Sequence, residues 1–170
     1  PSVWAWRPKR AKKMARFIDH VLALFPFEPS YMESEGMACD FVGHPIAGKS
    51  EVSNKQVAEF QELIGLNPTR PAIVVLPGSR HSEIHRLLPI FCKTLSQPDF
   101  ADAQLIFPTL PHLVALLHDH IQFLSQDYFV VTGEGLSAND AAEQRFLAFS
   151  ASKAALAASG TVSLELAAAG

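Results

Sequence analysis

The chain has 170 residues, of which 48% are hydrophobic and 18% charged, and its formal net charge is −3. That length suits one ordinary domain, or one domain with a piece of a neighbour, and the composition is that of a soluble globular protein rather than a disordered one. No apolar run reaches the roughly 18 residues of a membrane-spanning helix, and two cysteines, Cys39 and Cys92, suggest reduced thiols of a cytoplasmic protein, not a disulfide framework or a zinc site.

Taken in chain order, residues 1–16 hold Arg7, Lys9, Arg10, Lys12, Lys13 and Arg16 with no acid, so the remainder carries eight bases against all 17 acids. This basic segment, with Trp4 and Trp6, reads either as a solvated helix face or as a surface for phosphate, nucleic acid or anionic lipid. Val21-Leu22-Ala23-Leu24-Phe25 reads as a buried strand ended by Pro26, and Ala38–Gly43 as a second short strand. Between them, Pro29–Glu35 suits a short helix closed by Gly36. Gly43-His44-Pro45 breaks the pattern, and a domain boundary is expected after residue 48.

From Ser53 onward strands alternate with helices. Val57, Phe60, Leu63 and Ile64 share a helical face that Gly65 ends. Pro71–Leu76 is an apolar strand, and Ile84, Leu87, Leu88, Phe91 and Leu95 recur at helical spacing, with Pro89 expected to kink that helix or restrict its start. Ala103–Pro108 and Phe129–Thr132 are further strands, separated by a helix over residues 113–124. A helix over Ala138–Phe149, a strand of small residues over Ala154–Ala158 and a final helix from Thr161 follow. The alternation predicts an α/β fold with a Rossmann-like parallel sheet covered on both faces, and ligands in such sheets bind beyond the carboxyl ends of the strands.

Two turns fit that rule. In Leu76-Pro77-Gly78-Ser79-Arg80, Gly78 admits close backbone approach, Ser79 can cap the following helix, and Arg80 can grip a phosphate with its planar fork. It is not a Walker loop, because no Gly-Lys-Ser/Thr follows; an ordinary turn with a surface arginine is the alternative. In Ser159-Gly160-Thr161, again strand to glycine to helix, Thr161 and Glu165 share one helical face. A carboxylate at that place can accept both hydroxyls of a ribose, or simply favour the positive end of the helix dipole. Together the turns suggest a nucleotide diphosphate. Thr132-Gly133-Glu134-Gly135 is a third strand-end loop that a base could touch. His81 and His85 lie one turn apart without an evident third metal ligand, and His118 and His120 fall on different helix faces.

Pro1-Ser2-Val3-Trp4-Ala5-Trp6-Arg7, Phe25-Pro26-Phe27-Glu28, Phe41-Val42-Gly43-His44-Pro45, Leu76–Arg80 with Glu83-Ile84, and Ala158-Ser159-Gly160-Thr161 with Leu164-Glu165 together resemble the lipid-A-disaccharide synthases. The resemblance runs in order over the whole chain and covers less than half of the family's usual length. It implies a two-domain GT-B glycosyltransferase, with residues 1–48 ending the acceptor-side half and residues 49–170 forming most of the UDP-sugar half. The implied reaction moves 2,3-diacylglucosamine from UDP-2,3-diacylglucosamine to 2,3-diacylglucosamine 1-phosphate, with inversion and without a metal or other cofactor. Arg80 would assist the departing diphosphate, Gly78, Ser79, Ser159, Gly160 and Thr161 would line it, and Glu165 would hold the ribose. The implied partners are the two acyl sugars and the inner-membrane surface, met peripherally from the cytoplasmic side, with no nucleic acid. Lys153 stands where the resemblance leads one to expect an acid, and Gly48 near a common Asp. Both ends read as cut, with the general base expected upstream of Pro1 and the last strands of the nucleotide half expected beyond Gly170. A UDP-sugar epimerase of the same fold and a noncatalytic nucleotide-binding module are the rival readings.

Overall fold

A computed structural model describes residues 9–48, 52–158 and 160–169. The chain divides into two compact units, Pro1–Lys49 and Ser50–Gly170. No helix among the described residues is long and apolar enough to cross a membrane.

In the first unit, helix α1 (Lys9–Met14), strand β1 (His20–Ala23), helix α2 (Pro29–Glu33) and strand β2 (Ala38–Phe41) precede a 3-10 turn at Pro45–Gly48. The two strands pair in parallel, from His20 opposite Ala38 to Ala23 opposite Phe41. Ala11, Val21, Met32 and Met37 form a small core beneath them. Burial of β1 alternates, as one covered face requires: Val21 and Ala23 are inside, whereas Leu22 is 63% exposed. The expected uniformly buried strand through Phe25 is therefore corrected. β1 stops at Ala23 because the backbone N–H groups of Leu24 and Phe25 donate to the buried Glu28 carboxylate, at 3.0 and 3.1 Å, rather than to a neighbouring strand. Lys9, Arg10, Lys12, Lys13 and Arg16 are exposed; Trp4, Trp6 and Arg7 lie outside the described residues.

The second unit opens with α3 (Asn54–Ile64), started by a reciprocal Ser53–Gln56 capping box and ended by Gly65 at φ 81°. It continues through β3 (Ala72–Leu76), α4 (His81–Leu95), β4 (Gln104–Pro108), α5 (Val114–Ile121), β5 (Tyr128–Val131), α6 (Ala138–Ser150), β6 (Ala154–Ala157) and α7 (Thr161–Ala169). The sheet order is β5-β4-β3-β6, and each neighbouring pair is parallel. Every residue of β3 and β4 is buried, because both faces are covered. Ile73, Val75, Leu105 and Phe107 point toward α4 and α5, meeting Ile84, Leu88, Phe91 and Leu117. Their alternates point the other way: Ala72 and Ile106 meet Phe60 and Ala148, and Val74 and Leu76 meet Phe146 and Phe149.

Two expected helices differ in detail. α4 starts at His81 and continues through Pro89 to Leu95, so the proline does not set its start. Pro89 is exposed, and the carbonyl whose helical partner it removes can face water. The helix expected over 113–124 is shorter, because Pro111–Leu113 forms a 3-10 turn and α5 closes at Ile121.

This topology places the two glycine turns. From β3 the chain steps outward through β4 to β5, and then α6 carries it back to β6 on the opposite flank of β3. α4 leaves β3 toward one face, while α7 leaves β6 toward the other, where Val162 and Leu166 pack with Phe146. Adjacent parallel strands whose exits diverge leave a crevice between them, the switch point of an open α/β sheet.

Candidate functional site

The β3 exit is built around Glu83. Gly78 has φ 135°, and a Cβ there would lie 2.5 Å from the Glu83 Cβ and 2.6 Å from its Oε2. Only glycine satisfies both the backbone angle and the space. The close approach lets the Glu83 carboxylate accept the Ser79 backbone N–H at 3.0 Å, while its other oxygen accepts from Arg80 Nη1 at 2.6 Å. The Ser79 hydrogen bond, aided by Arg80 and opposed by partial burial, holds the Glu83 carboxyl below the usual carboxylate range.

The expected Ser79 cap is corrected here. Arg80 occupies the N-cap position with extended backbone and no side-chain cap bond. Glu83, three residues on, reaches back in the manner of the carboxylate half of a capping box. An internal anion therefore already sits at the head of α4, whereas the Arg80 guanidinium stays largely exposed and keeps donors free for a ligand.

The β6 exit lies beside it. Leu76 pairs with Ala157, and the Ala158 N–H donates to the Leu76 carbonyl at 3.0 Å, so both turns open on one edge of the sheet. Gly160, at φ 137°, leads into α7, and nothing among the described residues lies within 4 Å of where its Cβ would stand. Ser159 and the side chain of Thr161 lie outside the described residues, so their expected part is untouched by this geometry.

Glu165, on the second turn of α7, is hydrogen-bonded and ion-paired through Oε2 with Nη2 of Arg145. Arg145 comes from α6, and its guanidinium lies 5.3 Å over the Phe149 ring.

These parts surround one cavity of about 580 Å³, lined by Gly78, Ser79, Arg80, Gly160 and Glu165 with Glu83 and Arg145. The volume falls within the roughly 300–1,000 Å³ of small-molecule sites. Thr109, Thr132 and Gly133 close the far wall, so the loop singled out as a base contact also borders the space. Gly133 is held at φ 65° against Ala141, whose Cβ would be 2.6 Å from an added Cβ. The Thr109 hydroxyl is shielded and has no hydrogen-bond partner among the described residues. Its backbone N–H instead joins the Val131 carbonyl at 2.9 Å.

Gly78, Ser79, Arg80, Gly160 and Glu165 meet at one sheet edge, as motif reading expected, and that reading missed what engages them. Glu83 carried a legible signal, an acid three residues after a helix start. Arg145 carried none, since it meets Glu165 across 20 residues and a strand. His85 lies between His81 and His120 on α4 and α5, with ring centroids 6.4 and 6.3 Å away, outside the cavity lining.

The family model for lipid-A-disaccharide synthetase matches residues 1–170. The lipid-A-disaccharide synthase of Ruegeria pomeroyi is 47% identical over 172 residues, covering 100% of this chain and 43% of that protein. The lipid-A-disaccharide synthase of Rhodospirillum centenum is 43% identical over 169 residues, with 98% and 40% covered. The chain thus spans about two fifths of the curated relatives it matches. Among solved structures, the glycosyl transferase family 9 protein of Veillonella parvula superposes with a TM-score of 0.55 at 13% identity, over 96% of this chain and 58% of that one. That likeness concerns the fold, and it agrees with the expected GT-B type of parallel α/β organisation.

Proposed function

The chain belongs to the lipid-A-disaccharide synthetase family, and from that premise we propose that the full-length protein is a hexosyltransferase that builds the lipid A disaccharide. It transfers 2,3-diacylglucosamine from its UDP derivative to 2,3-diacylglucosamine 1-phosphate. The observation that supports this most is the meeting of both glycine turns in one cavity at the switch point of the sheet.

In this reading UDP occupies the cavity with its ribose on Glu165, whose carboxylate accepts the vicinal hydroxyls. The diphosphate lies toward Arg80 and the head of α7. No described residue beyond its chain neighbours lies within 4 Å of where a Gly160 Cβ would stand, whereas the head of α4 is taken by Glu83. As the glycosidic bond to the diphosphate breaks, negative charge grows on the leaving oxygen. A guanidinium and oriented backbone N–H groups stabilise that charge without a metal. The exposed bases of α1 supply a surface for anionic lipid headgroups at the cytoplasmic face of the inner membrane.

Glu165→Gln in the full-length protein tests the nucleotide assignment. The substitution keeps the shape and removes the charge. Hydrogen bonds to charged groups contribute roughly 1.5–3 kcal/mol, so UDP affinity should fall by about 10- to 150-fold by titration calorimetry. Unchanged affinity refutes the ribose role. Product analysis separates the rivals, since an epimerase alters the UDP-sugar without acceptor and a binding module yields no disaccharide.

A further inference from the structure

Glu165 can read a ribose only if its carboxylate is held still. A free glutamate side chain has several rotamers to lose on binding, and a group fixed beforehand loses less. In this cavity the fixing group is Arg145. Its Nη2 donates to Glu165 Oε2, and its guanidinium is itself seated over the buried ring of Phe149, one turn along α6. Each carboxylate oxygen offers two acceptor directions. One arginine bond on Oε2 therefore leaves Oε1, and the second direction of Oε2, for a pair of hydroxyls.

We propose that Arg145 is the positioning residue for Glu165 and sets selectivity for a ribonucleotide over a deoxyribonucleotide by orienting that carboxylate rather than by touching the ligand. The inference rests on the proposed nucleotide reading of the cavity. Its distinct content is that discrimination at the sugar depends on a residue from α6, a helix that enters neither glycine turn.

The experiment compares UDP, 2′-deoxy-UDP and uridine binding to the full-length protein by calorimetry. Wild type is set beside Arg145→Met, which keeps the aliphatic stem, and Arg145→Lys, which keeps the charge. Wild type should prefer UDP over 2′-deoxy-UDP by about 10- to 150-fold, the loss of one hydrogen bond to a charged acceptor. In Arg145→Met the preference should shrink by at least about tenfold, with weaker UDP binding, and Arg145→Lys should recover part of it. A lower melting temperature with the full preference retained would make Arg145 only a tie between α6 and α7 and would overturn the inference. So would a variant that loses UDP but keeps uridine affinity, because Arg145 would then be gripping the diphosphate. If wild type itself binds no UDP, or binds both nucleotides equally, the nucleotide reading falls and takes this inference with it.

Discussion

Replacing Gly78 by alanine should destabilise the second unit far more than the same change at Gly160, although the two glycines have nearly equal backbone angles, φ 135° and 137°. A positive φ in a residue with a side chain costs about 1–3 kcal/mol, and that term is common to both positions. At Gly160 nothing among the described residues lies within 4 Å of the new methyl, whereas at Gly78 it meets the Glu83 Cβ at 2.5 Å. A Cβ cannot swing away as a side-chain tip can, so the first turn of α4 must shift, an overpacking cost of about 1–3 kcal/mol. The shift also draws the Glu83 carboxylate off the Ser79 N–H, a charge-assisted bond worth roughly 1.5–3 kcal/mol. The excess of Gly78→Ala over Gly160→Ala should therefore be about 2.5–6 kcal/mol. Urea unfolding of the full-length protein measures it as a lower midpoint at unchanged slope. Equal destabilisation by the two substitutions would refute the steric account of the turn.

Two further outcomes follow from the charges. Folding lowers the Glu83 pKa, so its carboxylate stabilises the fold above the usual carboxylate range and loses that contribution as pH falls through the folded value. Glu83→Gln can still accept from Ser79, and should cost about 0.5–2 kcal/mol near neutrality, the difference between a charged and a neutral acceptor; a gap to wild type that does not close in acid contradicts this. Charge reversal at Arg10 and Lys13, both exposed on α1, should raise KM for the acyl-sugar phosphate on anionic vesicles. The effect should fade with salt, as exposed charges are screened beyond about 8 Å at physiological ionic strength, and unchanged kinetics would leave α1 a solvated face.

The alternation of strands and helices from Ser53 was legible because β3 and β4 are covered on both faces, which writes uninterrupted apolar runs such as Ala72-Ile73-Val74-Val75-Leu76 into the chain. The first unit was harder to read. Val21-Leu22-Ala23-Leu24-Phe25 has the same apolar character, yet Leu22 is exposed and Leu24 and Phe25 leave the strand for Glu28. Composition alone does not separate a strand covered on one face from one covered on two. Nor could periodicity give the order β5-β4-β3-β6, which depends on α6 crossing back over the sheet.

The site divides along the same physical line. Gly78, Arg80, Gly160 and Glu165 were visible because glycines at strand exits and charges on a helix's opening turns have local causes, all contained within a few residues of sequence. Their partners obey a different logic. Arg145 reaches Glu165 only because α6 and α7 share one face of the sheet, a consequence of topology that spacing along the chain does not encode. Glu83 is local, but its weight comes from the missing Gly78 side chain, since any Cβ at residue 78 would fill the space through which the carboxylate reaches Ser79. The outcome is a cavity whose two guanidiniums are each engaged by an acid before any ligand arrives. Neutral pairs create little net attraction for a diphosphate at long range. In the proposed nucleotide reading, the pull on a diphosphate therefore comes at short range, from the exposed donors of Arg80 and the oriented N–H groups at the head of α7. On that reading, affinity for the anion would depend on correct seating of the nucleoside beside it.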